Sequence, residues 1–256
     1  MKVFVINLKR SQDRRDRVVS HLRERNVAFE LFDAVDGHKL TDEEIAHYCD
    51  METVRKHPNW LTKGTIGACL SHYNLYKKIV EDNLEGACIL EDDIVVNENF
   101  AKVLEGLDPV MKEDKFVLLY YTSWDKMQLK ATNITVAPGY DLYKMLHLPG
   151  LNSAAGYIIS NSLAKKMMNF VLPIRHGADS WTDFSKGGAL PEIYCVYPQP
   201  AHLAFAKSTI DYLEKGSIKS KISDFINNNK IFPIYQILKM RRKNLIDKMS
   251  NIEIIK

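Results

Sequence analysis

The chain has 256 residues, 46% hydrophobic and 26% charged, the balance of an ordinary globular protein long enough for one large or two small domains. No run approaches the ~18 consecutive apolar residues of a membrane span, and the opening MKVFVINLKR meets charge too soon for a secretory leader, so a cytoplasmic location is expected. The net charge of +3 is unevenly spread: from Lys215 onward ten Lys and Arg face three acids, a tail of +7 on a body of −4, which suggests an anionic partner for the tail, lipid or nucleic acid.

Val3–Leu8 is a short β-branched run and reads as a buried strand. Ser11 is placed to N-cap a helix over Gln12–Arg25, with Val18, Val19 and Leu22 on its apolar side. Val27–Phe32 reads as a second strand, and a β-α-β opening favours a parallel sheet. Thr41 and Glu44 form a capping box for a helix over Asp42–Lys56. A further helix over Thr65–Asn83 carries Ile66, Leu70, Leu75 and Ile79 on one face. Gly86 turns the chain into an Ala87–Leu90 strand. Phe116–Tyr121, Ile134–Ala137, Ala154–Ile159 and Ile193–Tyr197 read as strands, the last closed by Pro198 and Pro200, and Ser162–Val171 as a helix. Ser123–Leu151 has no clear period. A basic helical stretch, Ile234–Met249, lies beyond the last strand. The plan is one α/β domain over residues 1–205 and a basic helical extension over 206–256. Cys49, Cys69, Cys88 and Cys195 are widely spaced, mostly in apolar surroundings, and are expected as free buried thiols.

The chemistry concentrates in GACILEDDIVVN, where Glu91, Asp92 and Asp93 interrupt an apolar strand. Carboxylates at the carboxyl end of a strand in an open α/β sheet suit a hard divalent cation, Mg²⁺ or Mn²⁺, that also takes phosphate oxygens. Alternation along an extended chain would put Glu91 and Asp93 on one face and Asp92 on the other. A Walker-type nucleotide site is excluded, because TKGTIGACLSH has no Gly-Lys-Ser/Thr. A response-regulator pocket would have its acids after the first strand. A nucleotide-sugar transferase fits better, with acids serving both a metal–diphosphate and donor hydroxyls.

Three blocks in order carry a family resemblance: Val5–Ser11 with Asp13, Arg14 and Arg15; GTIGACLSH over Gly64–His72; and ILEDDIVV. Ala154–Met167 is a weaker fourth block. Together they resemble glycosyltransferase family 25, the lipooligosaccharide glycosyltransferase and procollagen galactosyltransferase group. The resemblance implies a GT-A-like, Rossmann-type α/β domain with a mixed, mostly parallel sheet. It also implies a UDP-sugar donor, inversion at the anomeric carbon, and transfer of galactose, with a β-1,4 linkage, to a lipooligosaccharide outer-core acceptor.

On that resemblance Asp93, with Glu91 and a late ligand His202, is expected to hold Mn²⁺ or Mg²⁺. Asn7, Leu8, Arg10, Ser71, His72, Glu91 and Asp92 are expected to line the donor. Arg15 and Arg17 read as a solvated helix face. The family's acid in a Pro-Val-Asp-like loop maps onto IRHGADSWTDF, which gives Asp179 as general base, with Asp183 and Glu192 in reserve. Trp181 is the candidate for stacking on an acceptor sugar. The basic tail would lie on an anionic membrane leaflet or pack on the domain, and no nucleic acid is expected as a partner. Two other classes use the same acids: a metal-dependent phosphoryl-transfer or phosphodiester enzyme, and a non-catalytic nucleotide-sugar or glycan-binding relative.

Overall fold

Val3 to Ile6 are all buried, because the first strand lies inside a sheet covered on both faces, where an unbroken apolar run replaces alternation. The computed structural model describes residues 1–112, 114–204 and 252–255. It begins with β1 (Lys2–Asn7), α1 (Gln12–Glu24) and β2 (Glu30–Asp33), followed by α2 (Asp42–Tyr48), α3 (Met51–Lys56) and α4 (Lys63–Glu81). The acid-bearing pair β3 (Gly86–Glu91) and β4 (Ile94–Val96) comes next, then α5 (Phe100–Leu107), β5 (Phe116–Leu118) and β6 (Thr122–Ser123). A long hairpin, β7 (Met127–Ala137) and β8 (Tyr140–Met145), precedes β9 (Leu151–Asn152), β10 (Gly156–Ser160), α6 (Asn161–Val171) and α7 (Trp181–Lys186). The chain closes with β11 (Tyr194–Tyr197), β12 (Ala201–Leu203) and β13 (Ile252–Ile255).

Among the described residues β4 pairs with β12 and β6 with β9, while the other nine strands form one sheet in the order β13-β7-β8-β11-β5-β10-β3-β1-β2. Only β8 and β10 run against the rest, so the expected mixed, mostly parallel α/β sheet is what the chain forms. One face packs on α4 and α6 through Leu75, Ile79, Leu163 and Met167. The other packs on α1 and α5 through Val18, Leu22, Phe100 and Val103. All four cysteines are free and buried, as expected.

Several boundaries differ from the sequence reading. The helix expected over Asp42–Lys56 is two helices. The Thr41–Glu44 capping box starts α2, but Asp50 then turns outward, gives its N–H to the Ile174 carbonyl at 3.0 Å, and caps α3 by accepting from Thr53 N. A tertiary bond thus overrides local helix propensity. Ser11 stands at the N-cap of α1, yet its side chain makes no capping bond. Helix α4 starts two residues early because Thr62 caps it, accepting from Thr65 N at 3.2 Å. The irregular 123–151 region holds the β7–β8 hairpin, whose register shifts twice, and bulges of that kind erase a clean two-residue period. The last described residues form strand β13, parallel to β7, with Glu253 bonded to Lys126 and Gln128. The helix expected over 234–249 lies outside the described residues.

At one edge of the sheet the carboxyl ends of β1, β2 and β3 come together: Asn7 stands opposite Asp33, and Ile6 opposite Glu91. The chain leaves β1 first to β2 on one side and later to β3 on the other, and it is outside the carboxyl ends of strands at such a switch point that open α/β sheets collect ligands.

Candidate active site

A cleft of about 700 Å³, counting its open mouth, lies over that edge. Its floor is Ile6 and Leu8 from the end of β1 and Glu91, Asp92 and Asp93 from the end of β3. One wall is the loop Ala34–His38, and the other is α4, which presents Gly64, Ala68, Ser71 and His72. That spacing of four, three and one is one helical face, and its small residues leave the space open.

The loop is fixed against α4 by close backbone contact. A Cβ at Gly67 would stand 2.6 Å from Gly37 N, and one at Gly37 would stand 1.7 Å from the Lys63 carbonyl oxygen. Ser71 completes the joint. Its Oγ accepts from Val35 N at 2.9 Å and donates to the Gly67 carbonyl at 2.7 Å.

Each acid has its own partners. Asn7 donates its side-chain N–H to Asp92 Oδ2 at 2.7 Å. Arg14, from the first turn of α1, lies 2.9 Å from Asp92 Oδ1, and the same nitrogen bonds Asp93 Oδ2. Glu91 is set apart, 3.4 Å from His72 Nε2. His72 is itself held by Tyr157, with Nδ1 and the phenol 2.7 Å apart, and Tyr157 meets Tyr76 at 2.8 Å. The expected division, Glu91 with Asp93 against Asp92, is therefore not the observed one. Strand β3 ends at Glu91, and Asp92 and Asp93 occupy a turn, so side-chain alternation stops there.

Burial raises the carboxyl of Asp92, against the pull of the Arg14 charge. Burial, then the Glu91 charge, pushes Asp93 up to about 6, with Arg14 opposing. Asp93 Oδ1 is buried and has no hydrogen-bond partner. Such an atom wants a cation or a proton. Among the described residues no cluster of three His, Cys, Asp or Glu closes on one point. Asp93 and Glu91 both line the cleft, and their hard carboxylate oxygens are the donors here that could hold a Mg²⁺- or Mn²⁺-type ion.

Of the other residues singled out from the sequence, Leu8, Arg10, Ser71 and His72 line the cleft. Arg10 reaches Asp36 at 3.3 Å. His202 sits on the exposed side of β12, opposite Val95, and is not a lining residue. Asp179 lies outside the cleft and accepts from Ser153 N at 3.0 Å. Asp183 is 3.5 Å from His176. Glu192 pairs with Lys144 of β8 and accepts from the nearby Tyr194 hydroxyl at 2.5 Å. Trp181 cannot stack on a sugar: it is 0% exposed, packs on Phe116, Tyr157 and Phe184, and donates its indole N–H to the Ser153 carbonyl. Its place in the first turn of α7, facing the sheet, puts it in the core.

Arg14 is the principal residue that sequence reasoning left unassigned. Nothing local separates it from Arg15 and Arg17. Only the docking of α1 on β4, where His21 Nε2 meets the Val96 backbone, turns it inward. Asp36, Gly37 and His38 were also unforeseen, although the glycines of the 64–72 block signalled a close backbone approach.

Comparison with known proteins agrees with this geometry. The sequence profile described as Glycosyltransferase family 25 (LPS biosynthesis protein) matches residues 1–182. Human procollagen galactosyltransferase 2 is 31% identical over 176 residues, 65% of this chain and 27% of that protein. Procollagen galactosyltransferase 1-B of Xenopus laevis is 33% identical over 181 residues, 66% and 28% of the two chains. The mouse inactive glycosyltransferase 25 family member 3 is 30% identical over 201 residues, 70% and 33%. The chain thus aligns with about a third or less of the length of these relatives. The crystal structure of a glycosyltransferase involved in glycosylation of the major capsid of PBCV-1 aligns with a TM-score of 0.36 at 10% identity, covering 74% of this chain and 76% of that one. No helix among the described residues is long and apolar enough to cross a membrane. With the profile spanning most of the chain and the acid-lined cleft inside the matched region, this protein belongs to glycosyltransferase family 25.

Proposed function

We propose that this chain transfers a hexose, galactose, from a UDP-sugar to a glycan acceptor of the lipooligosaccharide type, with inversion and with the help of a divalent cation. The observation that carries the reading is Asp93, whose Oδ1 is buried and unpartnered, lining with Glu91 a cleft that also holds Arg10 and Arg14. Family membership favours this over phosphoryl transfer by the same acids. The galactosyltransferase relatives support galactose, and the family's description supports the acceptor class.

Asp93 and Glu91 would hold Mn²⁺ or Mg²⁺, which supplies charge neutralisation for the departing diphosphate. Arg14 keeps Asp92 and Asp93 from repelling each other and fixes their rotamers. Arg10, 46% exposed at the cleft mouth, adds positive charge for a diphosphate. His72, oriented by Tyr157, steadies Glu91. The acceptor hydroxyl needs a base, since an in-line displacement leaves its proton to be removed. We assign that role to Asp179, through Oδ1, while its Oδ2 is engaged by Ser153. The enzyme would work in the cytoplasm, at the inner face of the membrane where lipid-linked acceptors lie, with the basic tail toward anionic lipid.

Calorimetry with UDP, with and without Mn²⁺, tests the reading, together with release of galactose from UDP-galactose. Metal-dependent UDP binding that Asp93→Ala abolishes is the expected result. Indifference to UDP would overturn the proposal. UDP binding without any turnover would place the chain with its inactive relative.

A further inference from the structure

With Trp181 in the core, two other tryptophans are exposed, Trp60 and Trp124. Trp60 is 37% exposed and stands in a ring cluster. His57 lies 5.7 Å from it at 86°, and His176 lies 6.5 Å from it at 68°. Its main chain is fixed: Trp60 N donates to the His57 carbonyl at 3.0 Å, and Thr65 Oγ1 donates to the Trp60 carbonyl at 2.9 Å. Trp124, at 57% exposure, has no comparable aromatic frame among the described residues.

The second observation is Gly177. Its backbone is not in the left-handed region, so no turn demands a glycine there. A Cβ at Gly177 would stand 3.2 Å from Asp179 Oδ1 and 4.0 Å from Trp60 Nε1. The indole edge and the carboxylate therefore face the same side of Gly177, where a side chain would crowd Asp179 Oδ1. Beside it lies a small, mostly apolar cavity whose lining includes Gly177, His176 and His72 together with Met167, Phe170 and Phe184. His72 also lines the acid-bearing cleft, so the two spaces share a lining side chain. His176, paired with Asp183 at 3.5 Å, adds hydrogen-bonding capacity at the rim.

We infer that Trp60, His176 and the bare Gly177 form the acceptor-saccharide subsite, with the sugar's C–H face on the indole and a hydroxyl directed at Asp179 Oδ1. This rests on the transferase reading above. A pyranose has an apolar face and a polar rim, and an aromatic ring flanked by imidazole and carboxylate matches both. In the transfer step the acceptor oxygen forms the new bond to the anomeric carbon as the bond to UDP breaks, and its proton passes to Asp179.

The test uses the full chain and intrinsic fluorescence. Lactose, methyl β-galactoside, methyl β-glucoside and methyl N-acetyl-β-glucosaminide are titrated without donor, with Trp124→Phe as the background that removes the other exposed indole. A saturable change, lost in Trp60→Ala, is expected. In transfer assays Trp60→Ala and Gly177→Val should raise the acceptor KM about tenfold or more, equivalent to losing ~1.4 kcal/mol. Both should leave UDP affinity unchanged, and Trp60→Phe, which keeps a ring, should recover most of the loss. An unchanged acceptor KM in Trp60→Ala, or no glycan response in a wild-type chain that binds UDP, overturns the subsite. Failure to bind UDP strikes the transferase reading instead.

Discussion

Arg14 lies 2.9 Å from Asp92 Oδ1, and the same guanidinium nitrogen bonds Asp93. One cation thus serves two adjacent carboxylates, and the side chains of all three are mostly buried. Removing it strands both acids. Arg14→Met should cost about 3–5 kcal/mol, the usual penalty for leaving a buried charge uncompensated. Arg14→Lys should recover only part of this, because it keeps the charge on a shorter side chain whose ammonium does not reach the place of the bridging guanidinium nitrogen. Urea unfolding at neutral pH measures both.

Asp93 behaves oppositely. Its carboxyl is pushed from 3.8 up to about 6, by burial first and then by Glu91. The folded state holds that proton more tightly than the unfolded chain. Its contribution to stability is therefore full below the unfolded value and is lost as pH rises through about 6. Without divalent cations, Asp93→Asn should be more stable than wild type by about 2 kcal/mol at pH 7, and the gap should close in acid. The same variant should lose metal-dependent UDP binding. Stability curves against pH in a chelating buffer, paired with calorimetry, would show the exchange of stability for function.

The contact between Gly37 and Gly67 leaves no room for a methyl group, with Gly37 N only 2.6 Å from a Cβ at Gly67. The obstacle is backbone and cannot swing aside. Gly67→Ala should destabilise by about 2–4 kcal/mol and weaken UDP binding, because the Ala34–His38 wall must shift. Thermal unfolding and a UDP titration separate these effects.

Tyr157 donates or accepts at both His72 and Tyr76 within 2.8 Å. Tyr157→Phe keeps the ring packing and removes the hydroxyl between them. It should cost about 1–3 kcal/mol for the two unsatisfied groups. It should lower kcat more than it raises the donor KM, since His72 would keep its place but lose its fixed tautomer. Steady-state kinetics against UDP-galactose would check the split.

Much of the fold was legible because single elements announce themselves. The Thr41–Glu44 capping box, the apolar stripe of α4 and the uninterrupted core of β1 each follow from a local rule. The candidate site was legible in its acids and in the Gly64–His72 block. The rest depended on distant pairing. The break between α2 and α3 comes from a bond to Ile174, and the inward turn of Arg14 from the docking of α1 on β4. Trp181 misled because an aromatic residue beside two aspartates looks like a sugar platform until the sheet is placed behind it. Trp60 went unnoticed because its partners, His176 and Gly177, are more than a hundred residues away.

The recognisable family region ends at residue 182, yet the architecture does not. Strand β11 lies between β5 and β8 within the sheet, and Ala204 N–H reaches back 2.8 Å to the Asp93 carbonyl. A polypeptide trimmed to the matched region would have a gap in its middle and an acid turn without its strut. The shortest portion of this chain able to present the carboxylates therefore extends at least to Ala204, a boundary drawn by hydrogen bonds and not by similarity.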